Sequence, residues 1–287
     1  MLWFLLSFLT AFFEAIKDVF GKQGLKNNDE YVVSWALTFF CAVFLIPFTV
    51  LFKIPPLGNL FWISLAIGGT LNTISTLLYI KAIKESDLSL TLPMIALTPL
   101  FMVITSPLIV GEWPDKFDLV GIVLLVIGSY LLNIKEKSKG YLAPFRALLQ
   151  TKGPRYMLIV AFIWSITSNF DKVGVQNSSP VFWVMALFIV MTLMLLPILL
   201  FKTSEPAKKI IKGLPVLLAM GLCCALAVIF QMQALTMTLV VKVIAIKRTS
   251  VLMGVLLGYF IFKEKGIKER FFGSATMLVG VLFMTLF

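Results

Sequence analysis

The sequence predicts an all-α integral membrane protein whose ten transmembrane helices form two inverted five-helix repeats. Three observations carry that prediction. Hydrophobic residues fill 60% of the 287 positions and the mean hydropathy is +0.99, above the roughly 45–50% apolar content of soluble domains. The apolar stretches recur at the length a bilayer demands, about 20 residues. The two halves of the chain also match one another at a nearly constant offset, which marks a duplicated unit.

Hydropathy places the spans near residues 2–20, 31–52, 60–80, 88–110, 118–134, 156–175, 180–201, 214–234, 240–262 and 270–287. Helix is the economical choice, because backbone amides in hydrocarbon must be satisfied within the chain and no alternating barrel pattern is visible. The first stretch, Met1 to about Phe20, lacks a basic leader and a small-residue cleavage site, so it reads as a retained helix. Pro47, Pro93, Pro99, Pro107, Pro197 and Pro215 fall in or at the ends of spans, where a membrane bundle tolerates kinks. Cys41, Cys223 and Cys224 are spaced unlike a zinc site and read as small core residues. With no histidine in the chain, histidine triads, histidine metal sites and histidine pH switches are excluded. No metal or cofactor is expected. The net charge of +11 has no polar domain to present it to nucleic acid.

The repeat is the most informative feature. At an offset of 150, Lys22 and Gly24 meet Lys172 and Gly174, Ala36-Leu37 meets Ala186-Leu187, and Pro47 meets Pro197. At an offset of 152, Ala82 meets Ala234, Glu112 meets Glu264, Gly121 meets Gly273 and Gly128 meets Gly280. The two extra residues fall between the second and third helices of each half, where a loop accepts insertion. Five is odd, so the second copy enters the membrane from the opposite face, the construction that alternating access uses. The expected units are 1–134, a basic linker over 135–155, and 156–287. Within the linker, "YLAPFRALL" puts Leu142, Phe145 and Leu149 on one face with Pro144 in the first turn. That segment reads either as an interfacial helix or as a solvated connector.

These motifs resemble the drug/metabolite transporter superfamily, and within it the EamA-type ten-helix proteins, over essentially the whole chain. In the first half they are Ala82, Pro99 within "ALTPLF", and Glu112, Gly121 and Gly128 of "GEWPDKFDLVGIVLLVIG". In the second half they are Ala234 and Glu264, Gly273 and Gly280 of "FKEKGIKERFFGSATMLVG". Pro99 is answered by Val251, so the proline often found in the ninth helix of such proteins is missing. The resemblance implies a transporter whose fifth and tenth helices hold the halves together while four-helix bundles rock. It does not imply an enzyme.

Eighteen of the 25 lysines and arginines lie in loops after odd-numbered spans, three in loops after even-numbered spans (Lys53, Lys116 and Lys172), and four within spans. The positive-inside rule then puts the odd loops in the cytoplasm and both termini outside, in an inner (plasma) membrane. The resemblance implies cytoplasmic termini instead. The local count is followed, because basic residues in short loops set insertion.

A charge within a span costs about 2.5–3.5 kcal/mol at the bilayer centre on insertion scales, which singles out three groups. Glu14, Lys17 and Asp18 share one face of the first helix. Glu14 stands eight residues before Lys22, a spacing similar to the first helix of the small multidrug resistance proteins. That resemblance makes Glu14, with Asp18 beside it, the proton-coupling candidate. The alternative is a glutamate neutralised by Lys17 that keeps the helix in register.

Lys242, Lys247 and Arg248 form the second group. Lys247-Arg248 before Thr249-Ser250-Val251 resembles the Lys-Arg pair of the plastid sugar-phosphate translocators, which binds the substrate phosphate. Such a pair suits an anion, a point charge beside a planar guanidinium. The lysine those translocators place on helix four is absent, since Ile95 matches Lys247 at the repeat offset. Snorkelling to the interface is the alternative. The third group, Asp171-Lys172, reads as an interfacial pair.

Asn72, Thr73, Ser75, Thr98, Trp164, Ser168, Asn169, Gln231 and Gln233 complete the polar residues within spans. Asn72, Trp164, Asn169 and Gln231 are the further substrate-site candidates, although any one could simply bridge helices. Gly254 and Gly258 form a small-residue face on the ninth span. The expected function is secondary transport of a small organic metabolite by alternating access. The substrate is either an anion at Lys247 and Arg248, or an amino acid or cationic amphiphile exported against protons at Glu14. A non-transporting membrane scaffold is the third reading. The expected partners are the substrate, lipid, and a proton or counter-substrate, with the protein a monomer or homodimer.

Overall fold

The computed structural model describes residues 2–51, 55–113, 115–131, 149–264 and 267–286. Most of the 135–155 linker, including Leu142, Pro144 and Phe145, lies outside the described residues. Those described are helical or in short connections, with no strand among them.

The first three helices are α1 (Leu2–Gly24), α2 (Glu30–Leu51) and α3 (Phe61–Glu85). The fourth segment is broken into α4 (Leu88–Thr91), a 3-10 stretch (Leu92–Leu97) and α5 (Thr98–Val110). After α6 (Lys116–Leu131) come α7 (Lys152–Gln176), α8 (Pro180–Lys202) and α9 (Pro206–Leu235). The ninth segment is broken too, into α10 (Val240–Lys247) and α11 (Ser250–Phe262), before α12 (Ile267–Leu286). Among the described residues, six stretches are long and apolar enough to cross a membrane: Glu30–Phe48, Phe61–Glu85, Leu88–Val110, Lys152–Gln176, Pro180–Lys202 and Pro206–Leu235. The start of α9 departs furthest from the hydropathy reading. Pro206 fits its first turn and the amphipathic "AKKIIKG" extends the helix into the polar zone.

The two breaks arise differently. In the fourth segment Pro93 and Pro99 remove backbone donors and favour the tighter 3-10 winding. In the ninth segment no proline is present, yet the helix is interrupted at Arg248 and Thr249, where the Arg248 amide is shared between the Ile244 and Ala245 carbonyls. The missing proline at Val251 therefore does not leave that segment continuous.

Both broken segments end alike. Gly111 caps α5 with φ +71° and Lys263 caps α11 with φ +56°, left-handed turns that bend the chain back. Each is followed by a glutamate that caps the start of the other segment. Glu264 accepts from the amides of Leu88 at 2.8 Å and Ser89 at 2.9 Å, and Glu112 accepts from Val240 at 2.9 Å. Since the end of each meets the start of the other, the broken segments run antiparallel. The capping carboxylates satisfy helix-start amides and complement the positive end of the dipole.

Around this pair, α1 packs along α9, α3 along α7, and α2 between α8 and α9, while α6 packs on α12. The last contact is close at Gly128, where an added Cβ would stand 2.7 Å from the Gly273 carbonyl oxygen. The main core joins α2, α3, α8 and α9 through Leu45, Phe61, Ile80, Trp183 and Met220.

Candidate functional site

Where α1, α3, α7, α9 and the break in the ninth segment converge, the bundle forms a cavity of about 90 Å³. Its wall includes Glu14 and Lys17 from α1, Asn72 and Tyr79 from α3, Trp164 and Asp171 from α7, Gln231 from α9, and Lys247 and Arg248. Met191 and Phe188 of α8 and Cys224 of α9 supply apolar wall.

Helical periodicity explains the first cluster. Glu14, Lys17 and Asp18 lie within one turn on the buried face of α1. Lys17 Nζ pairs with Glu14 Oε1 at 2.7 Å and Asp18 Oδ1 at 3.3 Å, and lies 4.8 Å from the centre of the Tyr79 ring. The Tyr79 hydroxyl donates to Asp18. Asp18 is therefore held behind the wall, whereas Glu14 lines the cavity and reaches Lys247 at 3.7 Å.

The second cluster exists because the ninth segment breaks where its two cations sit. Lys247 donates to Gln231 Oε1 at 2.8 Å. Arg248 reaches across the bundle, its Nη2 donating to Thr98 Oγ1 at 2.9 Å. Thr98 starts α5 directly after the 3-10 stretch and in turn donates to the Ile95 carbonyl at 2.6 Å. Trp164 lies under both cations, with Lys247 Nζ 5.5 Å and Arg248 Cζ 5.1 Å from its ring centre, a favourable placement over the indole face. Its Nε1 donates to Ser75 Oγ at 3.1 Å, which fixes the ring.

Arg248 is 3% exposed, yet its Nε and Nη1 have no hydrogen-bond partner among the described residues. Asn72 Nδ2 on the same wall is also without one. Buried donors left open cost about 1–3 kcal/mol each, more when charged. Arg248 and Asn72 thus bring to the wall donors that the protein itself leaves unpaired.

The structure brings together Glu14, Asn72, Trp164, Gln231, Lys247 and Arg248 from the sequence-derived candidates, and separates three others. Lys242 is half-buried and not part of the cavity wall, because five residues earlier on a helix is a different face. Asn169 bridges α7 to α5, donating to Thr105 Oγ1 at 3.3 Å and the Ser165 carbonyl at 2.6 Å, and accepting from Ser106 at 2.9 Å. Asp18 is enclosed by Lys17 and Tyr79. The expected interfacial pair is also split. Lys172 turns to Glu112 and the Thr238 carbonyl, while Asp171 lines the cavity and accepts from Trp183 Nε1 at 3.0 Å. Sequence reasoning read Asp171 as interfacial rather than as a cavity residue, and did not single out Tyr79. The signal available for Asp171 was its position three and seven residues after Ser168 and Trp164, on the same helix face.

The profile of the EamA-like transporter family matches residues 1–134 and 151–286. The chain belongs to the EamA-like transporter family. Nothing among the curated proteins matches the sequence. A solved structure described only as "Crystal structure of protein" superposes with a TM-score of 0.72 at 14% identity, covering 99% of this chain and 97% of its own, a likeness of fold. With its apolar helices, this EamA-like chain is a multi-pass membrane protein of the drug/metabolite transporter superfamily. Intramembrane ionisable residues in such a protein point to its substrate or ion pathway.

Proposed function

We propose that this EamA-like protein is a secondary transporter of a small organic anion, bound in the central cavity by Arg248 and Lys247 and moved by alternating access between two inverted five-helix repeats. One observation carries the reading: a buried guanidinium lining the cavity with Nε and Nη1 unpartnered. A carboxylate or phosphate supplies the charge and the acceptors that an unpaired guanidinium calls for. Lys247, held by Gln231 and shared with Glu14, adds a second positive charge, and Asn72 a neutral donor.

The ten spans are counted by taking each broken segment as one crossing, and the repeats are supported by the reciprocal caps of Glu112 and Glu264. In this reading residues 1–134 and 156–287 are the repeats, 135–155 connects them, and basic loops face the cytoplasm of the inner membrane. The proton-driven exporter reading through Glu14 draws less support, since that carboxylate already holds Lys17 at 2.7 Å.

The test is a thermal-shift screen of the purified protein against pooled metabolites, because a ligand of the folded state raises the unfolding temperature by mass action. Anions stabilise the wild type, and Arg248→Ala weakens them about 10- to 100-fold, as expected for a lost charged hydrogen-bond pair. If cationic or neutral compounds stabilise instead, and Glu14→Gln rather than Arg248→Ala removes the effect, the anion reading is wrong.

A further inference from the structure

We propose that Asp171 carries the proton that accompanies the substrate, so that one anion at Arg248 and one proton on the Asp171 carboxyl occupy the cavity together. This inference rests on the anion reading and adds the coupling ion and the residue that takes it.

The argument begins with the pairing of each buried charge. Lys17 is met by Glu14 and Asp18, and Lys247 by Glu14 and Gln231. Among the described residues Arg248 and Asp171 are the two charged groups on the wall without an ion-pair partner. Arg248 is held by the Thr98 hydroxyl, and Asp171 by the indole N–H of Trp183. Glu14 is thus committed to two ammonium groups, whereas Asp171 is the wall carboxylate free to change its charge without breaking an ion pair.

The groups around Asp171 agree with that role. Trp183 of α8 donates to one oxygen and serves either protonation state, because the carbonyl oxygen of a neutral carboxyl still accepts. Lys247 of α10 is the cation that acts on it from a distance. The remaining titratable groups of the wall are Glu14 and Lys17 of α1, Tyr79 of α3, Cys224 of α9, and Arg248. Asp171 itself is 6% exposed, and Gly174 one turn on leaves the space that the Trp183 ring fills.

Charge balance supplies the direction of coupling. With every group ionised, the wall and Asp18 behind it hold three positive and three negative side chains. An anion alone leaves the buried cavity with net negative charge, and a proton alone leaves it positive. One of each restores neutrality. The empty cavity and the cavity holding both are the states that can be enclosed at least cost in a low-dielectric bundle. Substrate and proton therefore travel in the same direction. By linkage, anion binding takes up a proton, and anion affinity rises as pH falls.

The test uses methanesulfonate as the anion, since its single charge does not change with pH, and the full-length protein in nanodiscs. Proton uptake is followed with a dye in weak buffer, and affinity is measured across a pH series. The wild type is expected to take up about one proton per anion on the alkaline limb, where affinity falls about tenfold per pH unit. Asp171→Asn, which keeps an acceptor for Trp183, binds with pH-independent affinity and takes up no proton. Trp183→Phe removes a hydrogen bond that is stronger to the carboxylate than to the neutral carboxyl, so it moves the midpoint of the profile to higher pH, which assigns the proton even if the asparagine variant does not fold. Proton uptake that survives in Asp171→Asn, that disappears only in Glu14→Gln, or that is absent from a wild type that binds methanesulfonate overturns the assignment to Asp171. A wild type that binds no methanesulfonate at any pH overturns the anion reading along with it.

Discussion

At the scale of single residues, the sequence located part of the cavity wall because charges and amides in apolar helices announce themselves by their cost. Glu14, Lys247, Arg248, Asn72, Trp164 and Gln231 were legible in this way. Lys242 and Asn169 looked equivalent, but composition does not say which face of a helix meets a cavity and which meets a neighbour. Asp29 shows the same logic outside the spans. Burial pushes its carboxyl up, but the Val32 amide, Lys209 and Thr203 outweigh that and hold it below the ordinary carboxylate range. A carboxyl lowered in the folded state stabilises fully above its unfolded value, about 4, and loses that contribution as pH falls through the folded one. Thermal unfolding in detergent should therefore show Asp29→Asn less stable than wild type near neutral pH, with the difference fading in acid below about pH 4.

At the scale of elements, the informative pieces are the two broken segments and their caps. Glu112 and Glu264 were visible as repeat-matched residues, but their reciprocal capping was not, since nothing local says that one segment's end meets the other's start. Removing such a cap costs about 0.5–2 kcal/mol, so Glu264→Ala should lower the unfolding temperature, and Glu264→Gln, which still accepts, should lower it less. Lys263 occupies a left-handed turn that Gly111 occupies in the first half. Lys263→Gly should stabilise the protein by about 1 kcal/mol, the cost of a Cβ in that conformation, read as a shift in chemical or thermal unfolding. The α6–α12 contact responds in the opposite sense. At Gly128 the Cβ of alanine would press on the Gly273 carbonyl oxygen at 2.7 Å and on Met277, an overpacking that should cost about 1–3 kcal/mol. A Gly128→Ala variant as stable as wild type would show that the two helices separate freely.

At the scale of the whole molecule, the proposed orientation rests on the distribution of lysine and arginine. Single cysteines placed at Lys208 and at Lys116, in a background without Cys41, Cys223 and Cys224, should be labelled by an impermeant maleimide from the cytoplasmic and the outer side respectively. Labelling of both from the same side, or the reverse pattern, would remove the basis for placing the termini outside. The sequence by itself determined that this chain is a helical membrane protein of transporter type, because burial in lipid leaves a strong and local imprint: long apolar runs, few charges, and small residues repeated at helix contacts. Tertiary structure decided which of those few charges face one another. Lys17 pairs with Glu14 and Asp18, Lys247 reaches Glu14, Lys172 turns away to Glu112, and among the described residues Arg248 and Asp171 are left on the cavity wall without ion partners. Such pairings join residues as far apart along the chain as Glu14 and Lys247, and no local pattern encodes them. They follow from how helices meet in the bundle.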